Sequence, residues 1–435
     1  MSDLLYRYRK TFGPGILFAC TAIGVSHLVQ STRAGAEFGF MILGFVILAN
    51  VLKYPFFEHG SRYANVTGTS IIDGYEKLGR KFLILYLGIT LGSMFFVTAA
   101  VGFVTAGFFE NLFQIDFLGI WTMVLLFAIC GVILCIGKFG TLDGIIKVIG
   151  FVLIISTVTA FVLALINGPV EQNENFLPRD LWNDSGIFFL IALMGWMPTA
   201  IDLSSWNSLW TIARIKQTGF RPKLKETLTE FRIGYFVTSL MAIFFLGLGT
   251  LVFFGSGESL PNNNSMFAHK IVTMFADTIG QWSYIIIAAS AFSVMFGTIL
   301  AVFDGYSRSF QKIIQLLQKK ESDDSRKSYV AIVCILAIGS ILIIMQFGDK
   351  LKELVDFATT LSFLVAPIIA VLNHKLVIGK FLPKDTQPSV WIKGLSMCGI
   401  VFLTGFALFS YIQNFSRIIT QLIDILVTVD NYGKK

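Results

Sequence analysis

The sequence contains few charged residues for its length. Only 14% of its 435 residues are Asp, Glu, Lys or Arg, whereas 55% are hydrophobic. A water-soluble domain normally carries about 25% charged residues. The shortage of charge therefore argues against a soluble protein and indicates an integral membrane protein.

Cysteine and catalytic groups are also scarce. Five cysteines are present, and all lie in apolar stretches without zinc-type spacing: Cys20, Cys130, Cys135, Cys334 and Cys398. This pattern argues against a disulfide framework or a metal cluster, and we expect buried, reduced thiols and no cofactor. Because no nucleophile–base pair is apparent either, we expect that the protein is not an enzyme.

Long apolar runs are abundant. A run of about 18 to 28 residues is long enough to cross a bilayer as a helix. We predict an all-α membrane protein in which the whole chain, 1–435, forms one transmembrane domain. Eleven spans are expected at about 13–35, 40–60, 82–112, 117–137, 141–167, 184–212, 228–255, 271–303, 329–347, 353–373 and 391–412.

Basic residues are distributed unequally between the two sides of the predicted membrane. With the N-terminus inside, the inner segments hold most of them, including Arg62, Lys216 and Arg308, while the outer segments hold few, such as Arg179 and Lys270. Positive charge near the ends of spans stays in the cytoplasm. We therefore predict a cytoplasmic N-terminus and an extracytoplasmic C-terminus. The net charge of +7 follows from this asymmetry and gives no reason to expect nucleic-acid binding.

The first span does not look like a cleavable signal peptide. It is long, begins with Gly13-Pro14-Gly15 and contains an internal break, so we expect it to remain in the mature protein. The short termini favour a bacterial inner membrane, with the lipid bilayer as the main partner. The sequence leaves the oligomeric state open, and a monomer is compatible with it.

Two spans are interrupted by helix-breaking residues. The breaks are Gly24-Val25-Ser26-His27 in the first span and Gly195-Trp196-Met197-Pro198-Thr199 in the sixth. Unwound backbone inside a membrane must be satisfied by protein or by a water-filled cavity, so a pair of breaks usually marks a transporter's substrate site. Spans one to five (13–167) and six to ten (184–373) form two halves of five. An odd number inverts the second half, which predicts an inverted repeat with span eleven (391–412) appended.

Several motifs resemble those of one transporter family. The chain resembles the Nramp family of proton-coupled divalent metal transporters, which has the fold of the leucine transporter (LeuT), and the resemblance runs through nearly the whole chain. The motifs that carry it are Gly13-Pro14-Gly15, Arg33-Ala34-Gly35-Ala36-Glu37-Phe38-Gly39, Ala49-Asn50 and Met197-Pro198. It implies a transporter that works by alternating access.

The metal site of that family does not carry over. Nramp metal transporters have Asp-Pro-Gly-Asn at the first break, where this chain has Gly24-Val25-Ser26-His27. At the second break they have Met-Pro-His, whereas here Met197 and Pro198 are followed by Thr199, and Met194 replaces a small residue. A doubly charged ion at mid-membrane without a carboxylate would leave its desolvation poorly offset.

The residues at the breaks favour an anion instead. If the second half of each broken helix begins near Ser26 and Thr199, both point unpaired N–H groups and a positive dipole end at the site. Hydroxyl groups and His27 add donors, and Thr359 lies where the family pattern has a site-facing glutamine. The predicted substrate-binding residues are Thr21, Gly24, Ser26, His27, Met194, Met197, Thr199 and Thr359.

Other charged groups admit two interpretations each. His27 contacts substrate or is a core histidine bound to a backbone carbonyl. Arg33 attracts the substrate from a distance or pairs with Glu37 four residues away. Asp202 forms a capping box with Thr199 or acts in coupling. Lys53 is a snorkelling or paired lysine, or a cationic group that faces an aqueous vestibule.

Two main functions follow. The first is a secondary transporter of a small anion, because the bulky Trp196, Met194 and Met197 leave room for only a few atoms; bicarbonate is the first candidate. The second is a transporter of manganese, iron or magnesium, with or without proton coupling. A non-transporting receptor or scaffold is a third hypothesis, against which the lack of a soluble signalling domain argues.

Overall fold

A computed structural model describes residues 10–115, 118–136, 139–174, 176–319 and 326–432, without the side chains of 139–150 and 412–432. Each of the eleven predicted spans overlaps one or more helices within these residues. In the first half these are α1 (Pro14–Ala22), a π-helical turn (Ser26–Ser31), α2 (Thr32–Phe38), a 3-10 turn (Gly39–Ile42), α3 (Leu43–Thr67), α4 (Ile71–Leu78), α5 (Arg80–Phe113), α6 (Ile120–Ile136) and α7 (Phe139–Asn167).

The second half begins with the other broken span. It contains α8 (Asp184–Gly195), α9 (Leu203–Thr218), α10 (Leu224–Phe253), α11 (Asn264–Ile279), a 3-10 turn (Gln281–Ser283), α12 (Tyr284–Gln318), α13 (Arg326–Phe347), α14 (Leu351–Ile378), a 3-10 turn (Lys384–Thr386) and α15 (Val390–Tyr432). Within the described residues, seven helical stretches are long and apolar enough to cross a membrane, and three apolar helices are shorter.

The eighth predicted span, 271–303, was placed wrongly at its N-terminal end. Residues up to Ile279 belong to α11, which begins inside the segment expected to be a loop, and the span itself runs from Tyr284 to Gln318. Gly280 separates the two helices with φ of +132°, a conformation that side chains disfavour. The Asn263 side chain caps α11 by accepting a hydrogen bond from Met266 N–H. A continuous apolar run thus contains two helices.

A second unpredicted helix, α4, lies between the second and third spans. Its first turn is closed by a capping box in which Ser70 and Asp73 exchange hydrogen bonds. Asp73 also pairs with Lys312 on α12 across 2.7 Å. The helix follows the end of α3 and is tied to α12 by this ion pair.

The two broken spans pack against different partners. Helix α10 runs beside α1, the π-helical turn and α2, whereas α14 packs on α8 and α3 packs on α9. Helices α5 and α12 pack against each other. The breaks consequently lie among α3, α5, α10, α12 and α14, with the backbone of each interrupted helix enclosed by protein.

Candidate functional site

The first break lies between α1 and the π-helical turn. Gly24 N–H bonds to Ala22 O at 2.8 Å, and the helix resumes as His27 N–H and Leu28 N–H both turn to Gly24 O. A Cβ on Gly24 would lie 2.8 Å from both Oγ1 and Cγ2 of Thr298 on α12. Glycine is therefore needed here for close approach to α12.

The second break spans residues 196–202. Helix α8 ends at Gly195 and α9 starts at Leu203, four residues later than Thr199. The first N–H groups of α9, at Leu203, Ser204 and Ser205, donate to Ala200 O, Ile201 O and Asp202 O. The expectation that this helix begins near Thr199 was therefore wrong by four residues, and the first N–H groups of α9 itself bond within the break.

Lys53 of α3 reaches into this second break. Its ammonium donates to the carbonyl oxygens of Met194 at 3.1 Å, Gly195 at 3.0 Å and Thr199 at 2.9 Å. The residue is 0% exposed. Lys53 is thus a paired lysine whose partners are backbone carbonyls, and it does not face an aqueous vestibule.

Asp202 does not form the expected capping box with Thr199. Its side chain caps no helix; instead Oδ2 accepts hydrogen bonds from Ser93 Oγ at 3.3 Å and Tyr306 Oη at 3.2 Å. The carboxylate also interacts electrostatically with the Lys53 ammonium. Its Oδ1 atom is buried and has no hydrogen-bond partner in the described part of the chain. Tertiary hydroxyl donors have replaced the local cap.

A small cavity lies between the two breaks. Its volume is about 30 Å³, and the residues that line it include Thr21, Ser26, Trp196, Thr199, Trp206 and Thr298. Thr21 and Ser26 donate their hydroxyls to Leu17 O and Ala22 O within their own helix. The indole Nε1 of Trp206 is buried and finds no acceptor among the described residues. The cavity combines hydroxyl oxygens, an unpaired N–H donor and apolar walls.

His27 lies outside that set of lining residues. Its Nε2 is 2.9 Å from Thr238 O on α10, and its Nδ1 is 2.9 Å from Ser26 Oγ. The ring is fully buried and packs edge-on against Phe245. The structure corresponds to the second interpretation of His27, a core histidine bound to a backbone carbonyl.

Three other predicted residues also lie away from the cavity. Met194 and Met197 are 0% exposed and belong to an apolar cluster of the bundle. Thr359 on α14 donates to Val355 O and contacts the Gln30 side chain at 3.4 Å. Of the eight predicted substrate residues, the cavity lining contains Thr21, Ser26 and Thr199, with Gly24 beside it.

The buried Arg33 side chain pairs with two carboxylates, those of Asp356 and Glu37. Its guanidinium makes a bidentate contact with Asp356 at 2.7 and 3.0 Å and lies 3.6 Å from Glu37. Gln30 also donates to Asp356, and Arg179 pairs with Glu37. The predicted i,i+4 pair is confirmed, and the stronger partner lies on α14, where it ties α2 to that helix.

Metal-ligating groups do not converge in the described residues. No group of three or more His, Cys, Asp or Glu side chains there lies close enough together to hold a metal ion. The acidic residue of the second break, Asp202, accepts hydrogen bonds from two hydroxyls. Among the described residues that line the cavity, none is acidic.

Glu230 on α10 was not singled out from the sequence. Its carboxylate accepts hydrogen bonds from Gly13 N–H at 3.0 Å and Gly15 N–H at 2.8 Å, so it satisfies the start of α1. The only sequence signal was an acidic residue within a long apolar run. Its partners, more than 200 residues away, were not predictable.

Comparison with known proteins gives three findings. A family model described as natural resistance-associated macrophage protein-like (Nramp) matches residues 15–413. An uncharacterised protein of Pasteurella multocida is 34% identical over 403 residues, covering 91% of this chain and 90% of the relative. Two solved structures have a similar fold at low sequence identity.

A mutant of the Eremococcus coleocola manganese transporter superposes with a TM-score of 0.70 at 13% identity, covering 92% of this chain and 85% of that chain. Mhp1, a nucleobase-cation-symport-1 family transporter with bromovinylhydantoin bound, gives a TM-score of 0.56 at 12% identity, covering 86% and 80%. These likenesses establish the predicted LeuT-type fold.

Proposed function

We propose that this chain, which belongs to the Nramp family of secondary transporters and is not an enzyme, carries a small monovalent anion, with bicarbonate as the first candidate. It is a multi-pass membrane protein. The proposal includes a cytoplasmic N-terminus, an extracytoplasmic C-terminus and transport by alternating access.

One observation carries the proposal: the cavity between the two breaks offers hydroxyls and an indole N–H but no acidic side chain among its described lining residues. Divalent cations in proteins take carboxylate oxygens, imidazoles or thiolates. An anion instead takes hydrogen-bond donors, which the Thr199 hydroxyl and the Trp206 indole can present, whereas Thr21 and Ser26 donate their hydroxyls to Leu17 O and Ala22 O. The donor set therefore suits an anion better than a metal ion.

Charge near the cavity supports the same sign of substrate. The Lys53 ammonium binds the carbonyl of Thr199, a residue whose side chain lines the cavity. In the low-dielectric interior a positive charge bound to a residue of the cavity wall attracts an anion and repels a cation. Asp202 interacts with the same ammonium and opposes this field, while its carboxylate also accepts hydrogen bonds from Ser93 and Tyr306.

The size of the cavity limits the substrate to a few atoms. One water molecule requires roughly 10–15 Å³, so a cavity of about 30 Å³ holds about two such groups. Bicarbonate has four heavy atoms and three oxygens that accept hydrogen bonds. A modest rearrangement of the two breaks would admit it, as expected if the helices move during transport.

A divalent metal is the second candidate, because the Eremococcus coleocola protein of the same fold is a manganese transporter. The two candidates are separated by reconstituting the purified protein in liposomes. Bicarbonate-driven change of internal pH and manganese influx are measured side by side, with protein-free liposomes as the control for diffusion of carbon dioxide. We expect the bicarbonate signal and no manganese influx.

A matched pair of substitutions tests the cavity itself. Thr199→Val removes a cavity hydroxyl and should lower anion uptake at least tenfold, since one hydrogen bond to a charged group contributes roughly 1.5–3 kcal/mol. Thr98→Val is the control: Thr98 is a buried threonine on α5 whose hydroxyl has no partner among the described residues and which does not line the cavity. Equal loss in both variants, or manganese influx without an anion signal, would refute the proposal.

A further inference from the structure

The ammonium of Lys53 is enclosed by oxygen atoms of the second break. It has three protons, and three backbone carbonyls accept from it at 2.9–3.1 Å. Two of these carbonyls end α8, where the last carbonyls of a helix lack intrahelical partners and carry a partial negative charge. Met194 O also accepts backbone N–H groups from the break, so at this helix end Lys53 satisfies chiefly Gly195 O, as an acceptor inside a membrane requires.

The same oxygens form the kind of site that binds a free cation. Carbonyl oxygens of an unwound helix are suitable ligands for a monovalent metal ion inside a transporter. The carboxylate of Asp202 lies within electrostatic range and keeps one buried oxygen, Oδ1, unpaired in the described part of the chain. The three carbonyl oxygens and the nearby Asp202 carboxylate together carry negative charge, which a single cation would balance. The Lys53 side chain of α3 provides that cation.

We propose that the Lys53 ammonium is a built-in cation that permanently occupies a carbonyl cage at the second break, in the place of a free monovalent cation. The cage contains the carbonyls of Met194, Gly195 and Thr199, and it shares only Thr199 with the lining of the substrate cavity. Because the charge is covalently attached, the wild-type protein needs no Na⁺ or K⁺ to hold the break in shape. The inference does not depend on the identity of the transported substrate.

Removing the ammonium tests this directly. In Lys53→Met the side chain keeps most of its length and its apolar stem but no longer donates to the three carbonyls, of which Met194 O keeps backbone N–H donors from the break. The cage should then accept a free alkali cation. We expect the melting temperature of purified, full-length Lys53→Met to rise by several degrees in one of Na⁺, K⁺ or Li⁺ chloride relative to choline chloride, with saturation as the salt is titrated. The wild type should melt at the same temperature in all four salts at equal ionic strength.

A second lysine provides the matched control. Lys312 on α12 pairs with Asp73 at a site 26% exposed, so Lys312→Met removes a charge without opening a carbonyl cage. It should show no preference among the four salts. Lys53→Gln, which keeps amide donors but no charge, is measured in parallel in case the methionine variant does not fold.

The outcomes are decisive in either direction. Selective stabilisation of either Lys53 variant by one alkali cation supports the proposal. Equal melting temperatures of the Lys53 variants in all four salts overturn it. Failure of both variants to fold in every salt also overturns it, because one of the alkali cations would have filled a cage able to accept a free ion. Indifference combined with loss of pH-dependent transport would instead assign Lys53 to proton transfer.

Discussion

Placing a carboxylate in the cavity should reverse its preference for charge. Thr21 lines the cavity from α1, and Thr21→Asp and Thr21→Asn introduce side chains of nearly equal size that differ in charge. An ion in so small a space lies about 4 Å from a wall carboxylate, where like charges repel by roughly 4 kcal/mol at an effective dielectric constant of about 20. Since about 1.4 kcal/mol is a factor of ten, the aspartate should weaken anion affinity about a thousandfold relative to the asparagine.

The assay compares the two variants with each other, because the hydrogen bond from Thr21 to Leu17 O is lost in both. Concentration-dependent bicarbonate uptake into proteoliposomes gives the apparent affinity, and manganese influx is followed in the same preparations. The aspartate variant should lose bicarbonate uptake, while the asparagine variant should retain it. Equal anion affinity in the two would show that substrate does not bind beside Thr21 or is not an anion.

Three further predictions concern the packing around the breaks. Gly24→Ala should destabilise the protein by about 1–3 kcal/mol. The second substitution Thr298→Ala removes the side-chain atoms that would lie 2.8 Å from the new Cβ, so the double variant should recover the melting temperature. No recovery would mean that the strain lies elsewhere. Asp356→Asn should lower the free energy of unfolding by about 3 kcal/mol, the lower end of the range for breaking a buried ion pair. The lower end applies because the Asp356 side chain is 15% exposed and Arg33 keeps Glu37 as a second partner. An unchanged melting curve would contradict this. His27→Ala should lower the melting temperature and leave anion affinity within about threefold of wild type, since the loss is of one hydrogen bond and packing in the core. A tenfold loss of affinity at normal stability would instead assign His27 to the substrate.

Much of the fold was predictable from residue patterns of short range. Apolar runs long enough to cross a bilayer can be read locally, and so can the helix-breaking residues near Gly24 and Pro198. The pair of Arg33 and Glu37 was predictable because it depends only on helical spacing. The boundary at Gly280 was missed because one glycine in an apolar run does not reveal a positive φ.

The candidate site was only partly predictable, because several of its contacts join distant parts of the chain. Three hydroxyl residues predicted to bind substrate, Thr21, Ser26 and Thr199, line the cavity, whereas His27 and the two methionines are held in the core. Local spacing favoured a capping box for Asp202, but its carboxylate accepts hydrogen bonds from Ser93 and Tyr306 on other helices.

The sequence by itself determined that this is a membrane protein with two interrupted helices and no carboxylate at the first break, because span length, helix breaking and residue identity are local properties. Tertiary structure alone decided the partners of the charged groups. Lys53 binds carbonyls 141 to 146 residues away, and no pattern along the chain marks a backbone oxygen as free to accept it. Only packing of α3 against the second break brings the ammonium and those oxygens together, since a buried charge must find its partners wherever the fold leaves them unpaired.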